Sequence, residues 1–124
     1  MDLDPRNAAA HHALGLLLIR QQRLLEALTA LAEAARLGGD NPRYGYVYAV
    51  ALNGTGQGPK AIQTLETVLA KHPNDRDSLL ALTAFQRDAG NLDAARSAAR
   101  RLAALEPDDP EVRALLRQVG VTTP

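Results

Sequence analysis

Residues 57–76 read QGPKAIQTLETVLAKHPNDR, and residues 91–110 read NLDAARSAARRLAALEPDDP. Laid over each other they match at a shift of 34 positions: Ala61 over Ala95, Pro73 over Pro107, Asp75 over Asp109. The same shift backwards finds Ala27, Gly39 and Asn41 within RLLEALTALAEAARLGGDNP, residues 23–42. One more step reaches Pro5 and Asn7. A fixed interval of this length marks a repeated supersecondary unit rather than a single closed core.

Punctuation divides each unit into two helices. Asn7, Asn41, Asp75 and Asp109 stand before apolar-periodic segments. Each is a good helix N-cap, because its side-chain oxygen satisfies an orphan backbone N–H. Pro42 and Pro110 follow two of these caps, at the first helical position, where a missing N–H costs nothing. Helices are predicted near 8–20, 42–53, 76–88 and 110–119, with partners near 24–37, 59–71 and 92–105. Gln22, Gly56 and Gly90 occupy equivalent turns. The two glycines adopt a left-handed backbone freely, whereas Gln22 does not, so the first turn is expected to differ in shape.

Unit by unit the sequence resembles the tetratricopeptide repeat, whose pattern is W-x2-L-G-x2-Y, then A-x3-F, then P. The first unit has His11, Leu14, Gly15 and Leu18, then Ala27 and Leu31, then Gly39. The second has Gly45, Tyr48, Ala49 and Leu52, then Ala61 and Leu65, then Pro73. The third has Leu79, Leu82, Thr83 and Gln86, then Ala95 and Ala99, then Pro107. Most aromatic positions hold Leu or something smaller, and the small-residue positions are kept. The resemblance implies an all-α, right-handed solenoid of three repeats, near 8–41, 42–75 and 76–109, forming one domain over 1–124. A helix at about 110–119 caps it, with Val112, Leu115, Leu116 and Val119 turned inward. Glu111, Arg113, Arg117 and Gln118 then face water, as a terminal unit requires.

Composition agrees and excludes several classes. The chain has no Trp, one Phe (Phe85) and three Tyr, so its core is Leu, Val and Ala, which suits closely approaching helices. Acidic and basic residues balance at 14 each, so a basic nucleic-acid footprint is absent. With no Cys there is no disulfide, thiol chemistry, zinc finger or haem attachment motif. No apolar run is long enough to span a bilayer. Leu3-Asp4-Pro5 matches Leu105-Glu106-Pro107, so the chain reads as starting in the tail of a repeat, a fragment of a longer protein. Its compartment, cytoplasmic or periplasmic, stays open. The first helix has no cap on its outer side, which makes it a candidate surface for self-association.

In the resembled family, the first helix of each pair lines a groove that holds a peptide or helix of a partner protein. Steps of four and then three residues keep to one helix face. They select His12, Leu16 and Ile19, then Tyr46, Val50 and Asn53, then Leu80, Ala84 and Arg87 as the partner-binding groove. The plainer alternative is that Leu16, Ile19, Val50 and Leu80 pack between repeats. Some members of the family grip a C-terminal carboxylate with cations along this groove. The matching positions are His12, Leu16, Val47, Asp77 and Ala81, which supply no such pair of cations. Tyr44 and Tyr48 share a face and are expected in the core, Tyr46 points to the groove, and Gly45 is expected to admit the preceding repeat.

No catalytic, cofactor or metal site is legible. Gly54-Thr-Gly-Gln-Gly-Pro-Lys60 fails the phosphate-loop spacing, and a helix rather than a strand precedes it. His11 and His12 are adjacent and diverge on a helix, so they do not share a metal as an i, i+4 pair does. Arg96, Arg100 and Arg101 read as a solvated outer face. The expected function is therefore non-catalytic protein–protein binding. The alternative is a structural or oligomerisation segment of a larger protein. HHALGLLLIRQQRLLEAL, residues 11–28, is also similar to repeat segments of some secreted bacterial multi-haem cytochrome-like proteins. In that case the haem lies elsewhere. The Ala/Leu/Arg-rich composition fits a bacterial source.

Overall fold

The computed structural model describes residues 6–121, so the match of Leu3-Asp4-Pro5 to a repeat tail lies outside the described residues. Seven helices follow one another, with no strand among the described residues. They are α1 (Ala8–Arg20), α2 (Leu24–Leu37), α3 (Pro42–Gly54), α4 (Gly58–Lys71), α5 (Arg76–Asp88), α6 (Leu92–Leu105) and α7 (Pro110–Gln118). The N-caps act as their chemistry requires. Asn7 Oδ1 accepts from the Ala10 N–H at 3.0 Å and Asn41 Oδ1 from the Arg43 N–H at 3.0 Å. Asp75 Oδ2 accepts from the Ser78 N–H at 3.1 Å, and Asp109 Oδ1 from the Glu111 N–H at 2.8 Å.

The helices form an α-helical repeat solenoid. Each odd-numbered helix packs on the next even-numbered one, and each even-numbered helix packs on the following odd one. The odd-numbered helices α1, α3, α5 and α7 are called A helices below, and α2, α4 and α6 B helices. The three alanines of the ruler sit in like surroundings. Ala27, Ala61 and Ala95 are all buried. Their N–H groups donate to Arg23, Gln57 and Asn91 carbonyls at 2.9, 2.9 and 3.0 Å. A larger side chain at any of them would separate the A and B helices. Gly15 plays the same part on α1, where a Cβ would lie 2.5 Å from Leu31 Cδ2.

Two expectations need correcting. The first turn does not differ in shape. Gln22 takes φ +60°, in the same region as Gly56 at +84° and Gly90 at +83°. The bonds repeat as well: the Arg23, Gln57 and Asn91 N–H groups donate to Leu18, Leu52 and Gln86 carbonyls, each at 2.9 Å. These bonds satisfy carbonyls that the helix end leaves open, and they hold Gln22 against its preference. The close approach at Gly45 comes from its own pair, while toward the preceding repeat it walls a hollow shared with α2. A Cβ there would lie 2.3 Å from Val68 Cγ2, on the B helix of its own pair.

Helix α7 covers the third repeat, with Val112, Leu115, Leu116 and Val119 buried and Glu111, Arg113, Arg117 and Gln118 exposed. It is also built as a fourth A helix. It opens on Asp109 and Pro110 as α3 opens on Asn41 and Pro42. It closes with Gly120 at φ +82° and the Val121 N–H donating to Leu116 O at 2.8 Å, the closure of the other A helices. At 9 residues against 13 it lacks one turn.

The main core runs from Leu28 on α2 through Leu52, Leu65, Leu79 and Leu102 to Val112 and Leu115 on α7. Helix α1 contributes to a separate small cluster of Leu18, Ala27 and Ala30, with Ile19 packed beside it.

Candidate functional site

The nine residues selected for one face of the A helices are all exposed or half-buried. The structure does not gather them into one continuous site. Tyr46, Val50 and Asn53 of α3 and Leu80 and Ala84 of α5 meet across an open depression of about 530 Å³. Its walls also include Gly54 of α3, Asp77, Ala81 and Phe85 of α5, and Glu111 and Leu115 of α7. Helices α3 and α5 touch directly, which gives the depression a floor. Tyr46, Leu80, Ala81 and Phe85 rest on the main core from above, so their exposed parts are held by packing beneath.

The remaining four do not line this depression. Ile19 joins Val47, Val50 and Ala51 around a smaller hollow of about 220 Å³ between α1 and α3. Leu16 is exposed on α1 and lines neither hollow. The His12 ring packs against Tyr44 with centroids 4.8 Å apart. Its Nδ1 is buried without a hydrogen-bond partner among the described residues. Burial first, and the nearby Arg43 charge second, hold the His12 imidazole below its ordinary pKa. Arg87 points to α7: its Nη1 donates to Gln118 Oε1 at 2.7 Å and its Nε to Asp88 Oδ1 at 3.3 Å. It closes one end of the A-helix face rather than lining the depression.

Of the neighbouring tyrosines, Tyr48 packs on the core. Tyr44 sits against His12 and over Gly38, where a Cβ would meet its ring at 2.6 Å. Of the depression's other walls, Asp77 and Ala81 are among the carboxylate-grip positions along the groove, while Gly54, Phe85, Glu111 and Leu115 were missed. The ruler does carry a signal for Glu111 and Leu115, which lie 34 residues after Asp77 and Ala81. Reading α7 only as a lid hid them.

Electrostatics around the depression centre on Arg76. Its Nε donates to Glu106 Oε2 at 2.8 Å, and its Nη2 to Glu111 Oε2 at 3.1 Å and Asp109 Oδ2 at 3.4 Å. The Glu106 and Glu111 bonds hold this guanidinium still more firmly protonated than usual. Arg76 thereby ties the start of α5 to the loop before α7 and to α7 itself.

A more enclosed hollow of about 310 Å³ lies on the opposite seam, between α2, α3 and α4. Small residues make it: Ala32, Ala35, Gly45 and Thr64 among its walls. Lys71, at its rim, pairs with Asp40 at 2.8 Å, and His72 Nε2 lies 2.9 Å from Gly39 O. The Gly54–Lys60 segment forms the α3–α4 turn, between two helices. Among the described residues no group of three or more His, Cys, Asp or Glu is placed to hold a metal ion. No helix is long and apolar enough to cross a membrane among the described residues.

A family model described as tetratricopeptide repeat matches residues 52–119, and a second of the same description matches residues 1–42. No curated protein matches the chain. Solved structures do. A tetratricopeptide repeat protein from Parabacteroides merdae superposes with TM-score 0.83 at 22% identity, covering 94% of this chain and 46% of that one. The first such domain of Spaghetti (RPAP3), bound to the HSP90 peptide SRMEEVD, gives 0.79 at 19% identity, covering 94% and 95%. The Yersinia enterocolitica type III secretion chaperone SycD, in complex with a YopD peptide, gives 0.72 at 16% identity, covering 88% and 83%. These likenesses show a shared fold.

Proposed function

Because the chain belongs to the tetratricopeptide-repeat family, we propose that it is a protein-interaction module that holds a short segment of another protein between α3, α5 and α7. The observation that carries this reading is the depression of about 530 Å³, where five of the nine ladder residues converge over a packed floor. Exposed Val50 and half-buried Tyr46, Leu80, Ala84 and Phe85 give it an apolar surface with an aromatic anchor of the kind enriched at binding hot spots. Tyr46, Leu80 and Phe85 are braced by the core beneath them. The ordering cost of binding therefore falls on the partner and not on the scaffold. In this reading the chain holds its partner and performs no reaction on it. Two of the structural relatives carry bound peptides, which supports the reading by analogy of fold.

The test uses peptides selected from a displayed library of random 12-residue sequences. Ala84→Glu places a charge in the depression without removing any packing, and Tyr46→Ala removes the anchor. The double variant is expected to lose at least about tenfold in affinity, the scale of one lost hot-spot residue, with helical circular dichroism unchanged. Full binding by a folded double variant overturns the reading.

A second reading has its own observation. Leu14 and Leu17 hold the places that Tyr48 and Ala51 hold on α3, and Leu82 and Phe85 on α5. Those four pack into or against the main core, while Leu17 is 47% exposed and Leu25, at the start of α2, is 78% exposed. The outer face of α7 is polar and offers this surface no match. In this second reading the occupant is a second copy, meeting the same α1–α2 face across a two-fold axis. Sedimentation over a hundredfold concentration range should show a dimer that Leu17→Glu with Leu25→Glu abolishes. A monomer throughout rejects it.

A further inference from the structure

One turn before Tyr46 and Leu80, the A-helix face carries a row at the same 34-residue interval: Ala9, Arg43, Asp77 and Glu111. The charge reverses along it. Both charged residues that line the depression are acids, Asp77 and Glu111. Glu111 shares the Arg76 guanidinium with Glu106 and Asp109, so one cation faces three carboxylates. Asp77 is exposed, and no hydrogen bond or ion pair engages it among the described residues. Its place in the first turn of α5 suits the helix dipole, but that preference is met anywhere on the turn. Here the carboxylate stands beside the apolar wall of Leu80 and Ala81. An apolar surface bounded by surplus negative charge selects by complementarity and repels acidic segments.

We propose, resting on the groove reading above, that the depression takes an apolar segment carrying a Lys or Arg next to its anchor side chain, with that cation set against Asp77 and Glu111. The apolar residues of the segment lie on Tyr46, Val50, Leu80 and Ala84. The basic residue lies toward the N-terminal ends of α5 and α7. An acidic residue in that place meets two carboxylates and is rejected.

Panning the full chain against the random 12-residue library and sequencing the survivors tests this directly. Lys or Arg should be enriched within a few positions of the apolar anchors, and Asp and Glu depleted. For one selected synthetic peptide, Lys→Gln should weaken binding roughly three- to tenfold, the scale of one or two rim charge pairs. Raising salt should narrow that gap. In the Asp77→Asn, Glu111→Gln variant the same peptide change should have no effect. If peptides bind in a manner that depends on Tyr46 and Ala84 but show no basic preference, this inference falls and the groove reading stands. If bound peptides are indifferent to Tyr46 and Ala84, both fall.

Discussion

The first helix pair and the third follow the same ruler and end up differently embedded. Around α5 and α6 the core is continuous with its neighbours on both sides, through Leu79, Leu82, Ala98 and Leu102. Polar ties add to it: Arg76 to Glu106, Arg87 to Gln118, and Arg96 Nε to Val119 O at 2.7 Å. Helix α1 buries Gly15 against Leu31 and Leu18 in a small separate cluster, and it leaves Leu14, Leu16 and Leu17 exposed. The lesson is that repeat period sets where helices go, while the neighbours a helix has on each side set how much of its apolar face is covered. They also set where a floor exists for a binding site. The depression opens where α3, α5 and α7 line one face, and the α1 end carries exposed leucines instead.

The largest expected difference is in the core. Leu102→Ala empties a fully buried site of the third pair and should cost about 2–5 kcal/mol in urea unfolding. Leu17→Ala, on the exposed side of the first pair, should cost no more than about 0.5 kcal/mol. Equal costs would erase the contrast between the two ends.

The turns sharpen the same contrast at a smaller scale. Gly56→Ala meets no neighbouring atom, so its cost is backbone strain alone, about 1 kcal/mol. Gln22→Gly relieves that strain and pays backbone entropy in return, for a net gain of about 0.5 kcal/mol or less. The two substitutions should move the unfolding midpoint in opposite directions. A loss at both would mean the first turn is held differently from the others.

The smallest effect concerns His12. Its folded pKa lies below the unfolded value of 6.5, so the unfolded chain binds more protons as pH falls through and below that value. Stability from this group is complete above pH 6.5 and declines on acidification. His12→Gln should therefore narrow the difference between thermal midpoints at pH 7.5 and 5.5. An unchanged difference places the acid sensitivity elsewhere.

Most of the fold was legible because caps, prolines and small residues recur on one interval, and each has a local physical meaning. The helices fall within one residue of the ranges read from punctuation. Gln22 was misread because propensity describes an isolated turn, and two backbone bonds overrule it here. Gly45 was misread because period tells which residues share a face but not which helix that face meets. The site was half legible for a related reason. Stepping along α3 and α5 found Tyr46, Val50, Asn53, Leu80 and Ala84, but Glu111 and Leu115 needed α7 to be seen as a fourth A helix. No sequence signal separated Leu16 and Arg87 from the residues that converge. Their fate depends on how closely adjacent A helices approach.

The most direct test of the account is a ¹⁵N chemical-shift map of the chain titrated with a library-selected peptide. The account predicts that the largest shifts fall on Tyr46, Val50, Leu80, Ala84 and Glu111. Shifts confined to Leu14, Leu17 and Leu25, or to the hollow walled by Ala32, Ala35 and Thr64, would contradict it.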